Sequence, residues 1–164
     1  MTINISEYAD VEKRASELNL NEPKNITFIP RNFLGVVSKT ELVNEASVST
    51  LRTLFRQNKL QESRFDSAEN KIPYIHENAF DWICPAIFFS AAELSKNPEL
   101  ISIACGVIGN YLTDFFKGKK SNPNIKLEVI VKTTKNKKTK KITYEGNLEG
   151  IKEIASSVKE AMRE

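Results

Sequence analysis

The sequence predicts a single α+β domain in which helices pack on a small sheet, the sheet containing a C-terminal β-hairpin that is followed by a terminal helix. Ile125, Leu127, Val129 and Val131 alternate with Lys126, Glu128, Ile130 and Lys132. A period of two puts successive side chains on opposite faces of a strand. Leu148, Ile151, Ala155, Val158 and Met162 recur at spacings of three and four, with Ile154 beside them, which lines one face of a helix. A chain of 164 residues with 40% hydrophobic and 27% charged residues has the size and composition of one globular core. The domain is expected to span residues 1–164, the alternative being a division into 1–95 and a helix–hairpin–helix unit at 96–164.

From the N-terminus, Tyr8, Val11, Ala15 and Leu18 share one helical face and Ser6 suits an N-cap, so a helix is expected over residues 6–19. Asn21-Glu22-Pro23-Lys24 ends it, because proline supplies no N–H. Ile26-Thr27-Phe28-Ile29, closed by Pro30, reads as a short strand. Ser38-Lys39-Thr40-Glu41 is a capping-box pattern with a short helix behind it at Leu42 and Val43. Val48, Leu51, Leu54 and Phe55 give a helix from about 48 to 58, with Arg52 and Arg56 four apart on another face. Residues 59–71 are polar and aperiodic, the composition of a mobile surface loop.

Ile72-Pro73-Tyr74-Ile75-His76 reads as an edge strand, since proline removes a ladder donor. The run from Trp82 to Phe89 suits either a buried strand or a helix. Pro85 favours a helix from Pro85 to Leu94, because a first turn tolerates it. Asn97-Pro98-Glu99 is a helix start for a segment reaching about Phe116. Apolar residues cover most of that helix, and Gly106 and Gly109 allow close approach of another element. It is expected to be buried on more than one side, either as the central core helix or as an interface with a partner or another copy. Gly118 to Pro123 breaks it, the hairpin follows over 125–145 with its turn at 134–138, and Gly146-Asn147 caps the last helix.

No signal peptide is expected, since the opening residues carry neither a basic leader nor a long apolar stretch, and Glu7, Asp10 and Glu12 follow at once. Cys84 and Cys105 sit in apolar surroundings and form no disulfide framework, consistent with a reducing cytoplasm. The longest apolar run, Leu100 to Phe116, is interrupted by Ser102, Asn110, Thr113 and Asp114. It falls short of the roughly 20 mostly apolar residues a membrane span needs.

Chemistry-bearing motifs are sparse. His76 stands eight residues before Cys84, but a thiol between Ile83 and Pro85 has its pKa raised, opposite to what a nucleophile needs. Two separated cysteines and one histidine match no zinc spacing. Glu41, Glu99 and Glu149 read as helix-start acids. Gly106, Gly109 and Gly118 do not lie between a strand and a helix start, as a phosphate loop requires. No enzyme, metal or cofactor is expected.

Charge is the strongest compositional signal about partners. Residues 117–141 hold ten lysines and one acid, a net +9, while the whole chain carries only +3. Lys117, Lys119, Lys120, Lys135, Lys137, Lys138, Lys140 and Lys141 are the candidate site, able to reach successive phosphates if the hairpin folds back near the preceding helix end. With no arginine fork and only Tyr144 as an aromatic, such binding would be independent of base sequence. Lysines at a turn also serve as a solvated guard of a sheet edge or as a seat for an acidic protein.

The order of apolar helix ending in Asn110-Tyr111-Leu112-Thr113-Asp114-Phe115-Phe116, polar break, lysine-flanked hairpin and Gly-capped amphipathic helix resembles the small effector-associated constant components of bacterial conflict systems. The resemblance is one of layout over about residues 98–163. It implies a non-enzymatic adaptor beside toxic or defence effectors and assigns no catalytic residue. The leading expectation is therefore an interaction or adaptor protein with a protein partner, with self-association open. The alternative is sequence-independent binding of nucleic acid or another polyanion through the hairpin.

Overall fold

The computed structural model describes residues 2–75, 82–118, 123–133 and 135–163. Its centre is a five-stranded sheet in the order β1-β5-β4-β3-β2, formed by β1 (Thr2–Glu7), β2 (Ile26–Ile29), β3 (Trp82–Phe89), β4 (Ile125–Lys132) and β5 (Thr139–Gly146). Only β3 and β4 run parallel; the other neighbours are antiparallel. Parallel neighbours need a crossover, supplied here by α3 (Ala91–Lys96) and α4 (Leu100–Phe115). The remaining helices are α1 (Val11–Glu17), α2 (Val48–Gln57) and α5 (Ile154–Met162), with 3-10 turns at Lys39–Glu41 and Leu148–Glu153. The chain is thus α+β, with its C-terminal hairpin and terminal helix as the sequence predicts.

Apolar side chains fill both sides of the sheet. On the larger side, Phe55 of α2, Ala104, Ile108 and Leu112 of α4, and Ile154 and Val158 of α5 close over Phe28, Ile87, Phe89, Val129, Ile142 and Tyr144. On the smaller side, Val11, Ala15 and Leu18 join Phe33, Leu42, Phe65 and Ile72 over Ile29, Phe88 and Ile130. Strands covered on both faces read as continuous apolar runs, and that corrects the helix expected at Pro85–Leu94. Residues 82–89 are a strand between β2 and β4, and α3 begins only at Ala91, where the Ser90 hydroxyl accepts from Glu93 N at 3.2 Å. The ladder shifts register between Ile83 and Ala86. Pro85 sits in that irregularity, where its missing N–H removes no regular ladder bond.

Other elements also depart from expectation. The helix expected over 6–19 starts at Val11, with the Asp10 carboxylate accepting from Lys13 N at 3.1 Å, while Ser6 lies in β1 opposite Lys141. Ser38 Oγ accepts from Thr40 N at 3.4 Å, and the Glu41 carboxylate accepts from Val37 N rather than returning to Ser38, so the segment forms one 3-10 turn. Of the edge strand expected over 72–76, residues 72–75 form only a single bridge, from Tyr74 to Asn44, and His76 lies outside the described residues. Glu99, not Asn97, precedes the first helical residue of α4, with Asn97 Oδ1 accepting from Glu99 N at 3.1 Å.

The segment 59–71 is tied down rather than loose. Ser63 N donates to Ile26 O at 2.8 Å, Phe65 is buried, and the Asp66 carboxylate accepts from Arg64 at 2.7 and 3.0 Å and from Ile72 N at 3.0 Å. Arg52 of α2 bridges the same segment, donating to Glu62 at 2.8 Å and to the Tyr74 hydroxyl at 2.8 Å. Aperiodic sequence concealed this cluster because its partners are spread over 22 positions of the chain.

Candidate interaction surface

The candidate lysines do not form one patch. Lys135, Lys137 and Lys138 are exposed at the β4–β5 turn, which is closed by Thr133 N donating to Lys138 O at 2.8 Å and by Lys138 N donating to Thr133 Oγ1 at 3.1 Å. Lys137 occupies the left-handed region at φ 49°. Lys117 follows α4, which returns the chain to Ile125, and Ile125 pairs with Gly146 at the opposite end of the hairpin. An eight-residue strand is about 23 Å long, so Lys117 does not add to the field of the turn. Lys119 and Lys120 lie outside the described residues.

Within β5, alternation sends Lys140 and Lys141 to opposite faces. Lys140, expected at the surface, is only 8% exposed. Its Nζ donates to Ala161 O at 3.5 Å, at the negatively polarised C-terminal end of α5. Lys141 lies 3.8 Å from the Glu128 carboxylate and 5.6 Å from the centroid of the Tyr8 ring. Burial, with Glu128 adding to it, pushes the Tyr8 phenol up to about 12. Lys126 also meets Glu128, Lys132 lies between Asp10 and Glu12 at 3.6 and 3.8 Å, and Lys138 meets Glu7 at 3.7 Å. Acids from β1, from the loop after it, from the first turn of α1 and from β4 therefore offset most of the hairpin's charge. Lys135 and Lys137 carry no ion pair to a described residue.

The second surface is the outward side of α4. The sequence suggests burial on more than one side, but the structure buries one: Leu100, Ile101, Ala104, Cys105, Ile108 and Leu112 face inward. Ile103 is 42% exposed and Phe115 39%. Surface helices carry charges on their solvent side, yet no residue from Leu100 to Thr113 is charged. Ser102, Gly106, Gly109 and Thr113 line a groove of about 620 Å³ whose other wall is Leu148, Glu149, Ile151 and Lys152. A Cβ at Gly106 or Gly109 would meet no atom within 4 Å. These glycines are not there to let α4 approach its own chain; they leave the groove open. No family model, no curated protein and no solved structure matches the chain.

Among the described residues, no three His, Cys, Asp or Glu side chains come together as a metal site, and no helix is long and apolar enough to cross a membrane. Cys84 and Cys105 are both buried; burial drives the Cys84 thiol well above its ordinary value and the Cys105 thiol up to about 12. The thiolate is the reactive species. Both thiols are therefore expected to resist alkylation in the native protein and to react promptly in denaturant, as read by mass spectrometry after a short iodoacetamide pulse. Rapid native labelling of either would contradict this placement.

Proposed function

We propose that the chain is a non-enzymatic interaction protein, an adaptor whose docking surface is the outward side of α4, and that it serves as an accessory component of a bacterial defence system. The observation that carries the docking surface is the uncharged run from Leu100 to Thr113, which lies half in water with Ile103 exposed beside an open groove. A helix side with small residues at its centre admits a partner's backbone closely, Ser102, Asn110 and Thr113 can hydrogen-bond across the contact, and burying Ile103 adds an apolar gain. The groove's rim carries Glu149 and Lys152, neither ion-paired to a described residue, which supply opposite charges to a polar border around such a contact. The defence role is supported by the layout resemblance of residues 98–163.

Ile103→Arg tests the reading, because it places a charge where only a partner is displaced. The variant is expected to keep the melting temperature and circular dichroism of the parent while losing a protein that the parent captures from native lysate under nuclease treatment. Retention of every captured protein would overturn the assignment of α4. Polyanion binding stands second, favoured only by Lys135 and Lys137 at the turn. It predicts low-salt DNA or RNA binding that falls steeply with salt, unaffected by Ile103→Arg.

A further inference from the structure

The two edges of the sheet are treated differently by the chain. β2 is four residues long, and its end is covered where Ile26 N donates to Gln61 O at 3.3 Å and Ser63 N donates to Ile26 O. β1 is six residues long, mostly exposed, and no described strand or loop pairs with its outer side. It also lacks the lysine or proline with which exposed edges are commonly blunted. Register shows which backbone groups are open. Tyr8 N donates to Thr139 O at 2.9 Å, and Tyr8 follows Glu7, which pairs with Lys140. Antiparallel pairs alternate between bonded and non-bonded, so Thr2, Asn4 and Ser6 turn their N–H and C=O toward β5. Ile3, Ile5 and Glu7 turn theirs to solvent.

We propose that this edge receives an extended, acidic-ended peptide of a partner protein as a sixth strand. Three donors and three acceptors are already aligned for it, the main-chain recognition of strand addition. The Ile5 side chain, 45% exposed, offers an apolar seat. Beyond Glu7 the same edge runs into the turn lysines, and a groove of about 380 Å³ there is lined by Ile5, Ser6, Glu7, Asn136, Lys138 and Lys140. Lys135 and Lys137 have no ion pair to a described residue, and the exposed Lys138–Glu7 pair is of the weak kind that another carboxylate can replace. A nucleic acid would use the lysines but neither the main-chain groups nor Ile5. The proposal rests on reading the chain as an interaction protein, but on a surface separate from α4.

The probe is a fluorescein-labelled peptide of alternating valine and threonine ending in four glutamates, followed by anisotropy at low salt. Binding is expected, weakened at least about tenfold by N-methylation of one alternate set of its residues and hardly at all by N-methylation of the other set. Ile5→Pro should abolish it, since it removes an outward N–H and leaves the bonds to β5. Lys135→Glu with Lys137→Glu should weaken it and flatten its salt dependence. Ile103→Arg should leave it unchanged, so loss of the α4 reading and loss of this one are separately visible. No binding, equal effects of the two N-methyl sets, or displacement of the peptide by single-stranded DNA that Ile5→Pro still binds would each overturn the proposal. So would a dimer in sedimentation that Ile5→Pro dissolves, because the edge would then belong to a second copy.

Discussion

Ile108→Asp should unfold the protein, whereas Ile103→Asp on the same helix should leave it folded. Ile108 is 1% exposed and belongs to the apolar cluster that joins α4 to the sheet and α5. An unpaired carboxylate placed there costs roughly 4–5 kcal/mol or more, against a total stability of about 5–15 kcal/mol for a domain of this kind. Ile103 is already half in water, so its replacement removes little burial and strands no charge. Urea denaturation followed by circular dichroism distinguishes the two: an unfolded Ile108→Asp beside an Ile103→Asp with nearly the parental midpoint. If Ile108→Asp remains stably folded, α4 does not form the core as described.

Asp66→Ala should be the most damaging change outside the apolar core. The Asp66 side chain is 1% exposed, accepts from Arg64 Nε and Nη2 and from the Ile72 amide, and lies 4.0 Å from Arg52. Burial pushes this carboxyl up, but the bonds from Arg64 and Ile72 and the charges of Arg64 and Arg52 outweigh it and hold the carboxyl below its ordinary 3.8. A depressed carboxylate stabilises the fold above its unfolded value and loses that contribution as pH falls through its folded value. Stability due to Asp66 is therefore present above its ordinary 3.8 and is lost as pH falls through the depressed folded value. Glu62 works in the opposite sense: burial outweighs Arg52 and raises it above 4.5, so its contribution is present at low pH and lost as pH rises through the raised value. Removing Asp66 leaves the Ile72 amide without its acceptor and Arg64 without its ion partner, and takes one carboxylate from beside the partly buried Arg52, a loss of about 3 kcal/mol at neutral pH. Urea midpoints measured from pH 7 down to pH 3 should show that loss together with a shallower acid decline. A loss below about 1 kcal/mol, typical of exposed pairs, would mean that the cluster does not anchor residues 59–74.

The sequence made most of the fold legible wherever one period dominated. Residues 125–132 alternate cleanly, residues 148–162 keep a single stripe, and Asn147 caps as its type suggests, its side chain accepting from Gly150 N at 3.2 Å. Reading failed where tertiary context overrides local pattern. Pro85 suggests a helix start until β2 and β4 are seen on either side of it, and Thr2-Ile3-Asn4-Ile5-Ser6-Glu7 is too polar to announce a strand whose partner, β5, lies more than 130 residues away. The lysine cluster was visible as composition, but not the acids opposite it: Glu7, Asp10, Glu12 and Glu128 reach the hairpin only through the sheet and the start of α1. Lys140 was misplaced because exposure within a strand depends on which face a helix end covers. For α4 the sequence signalled more burial than this chain provides, and that surplus is what identifies its outward side.

The central claim, that the outward side of α4 is where a partner docks, is tested most directly by site-specific photo-crosslinking in the native cell. A benzophenone amino acid at Asn110, on the exposed side of α4, is expected to give one discrete protein adduct that Ile103→Arg abolishes. The same group at Lys13, exposed on α1 across the sheet, is expected to give none. No adduct from Asn110, or an equal adduct from both positions, would contradict the account.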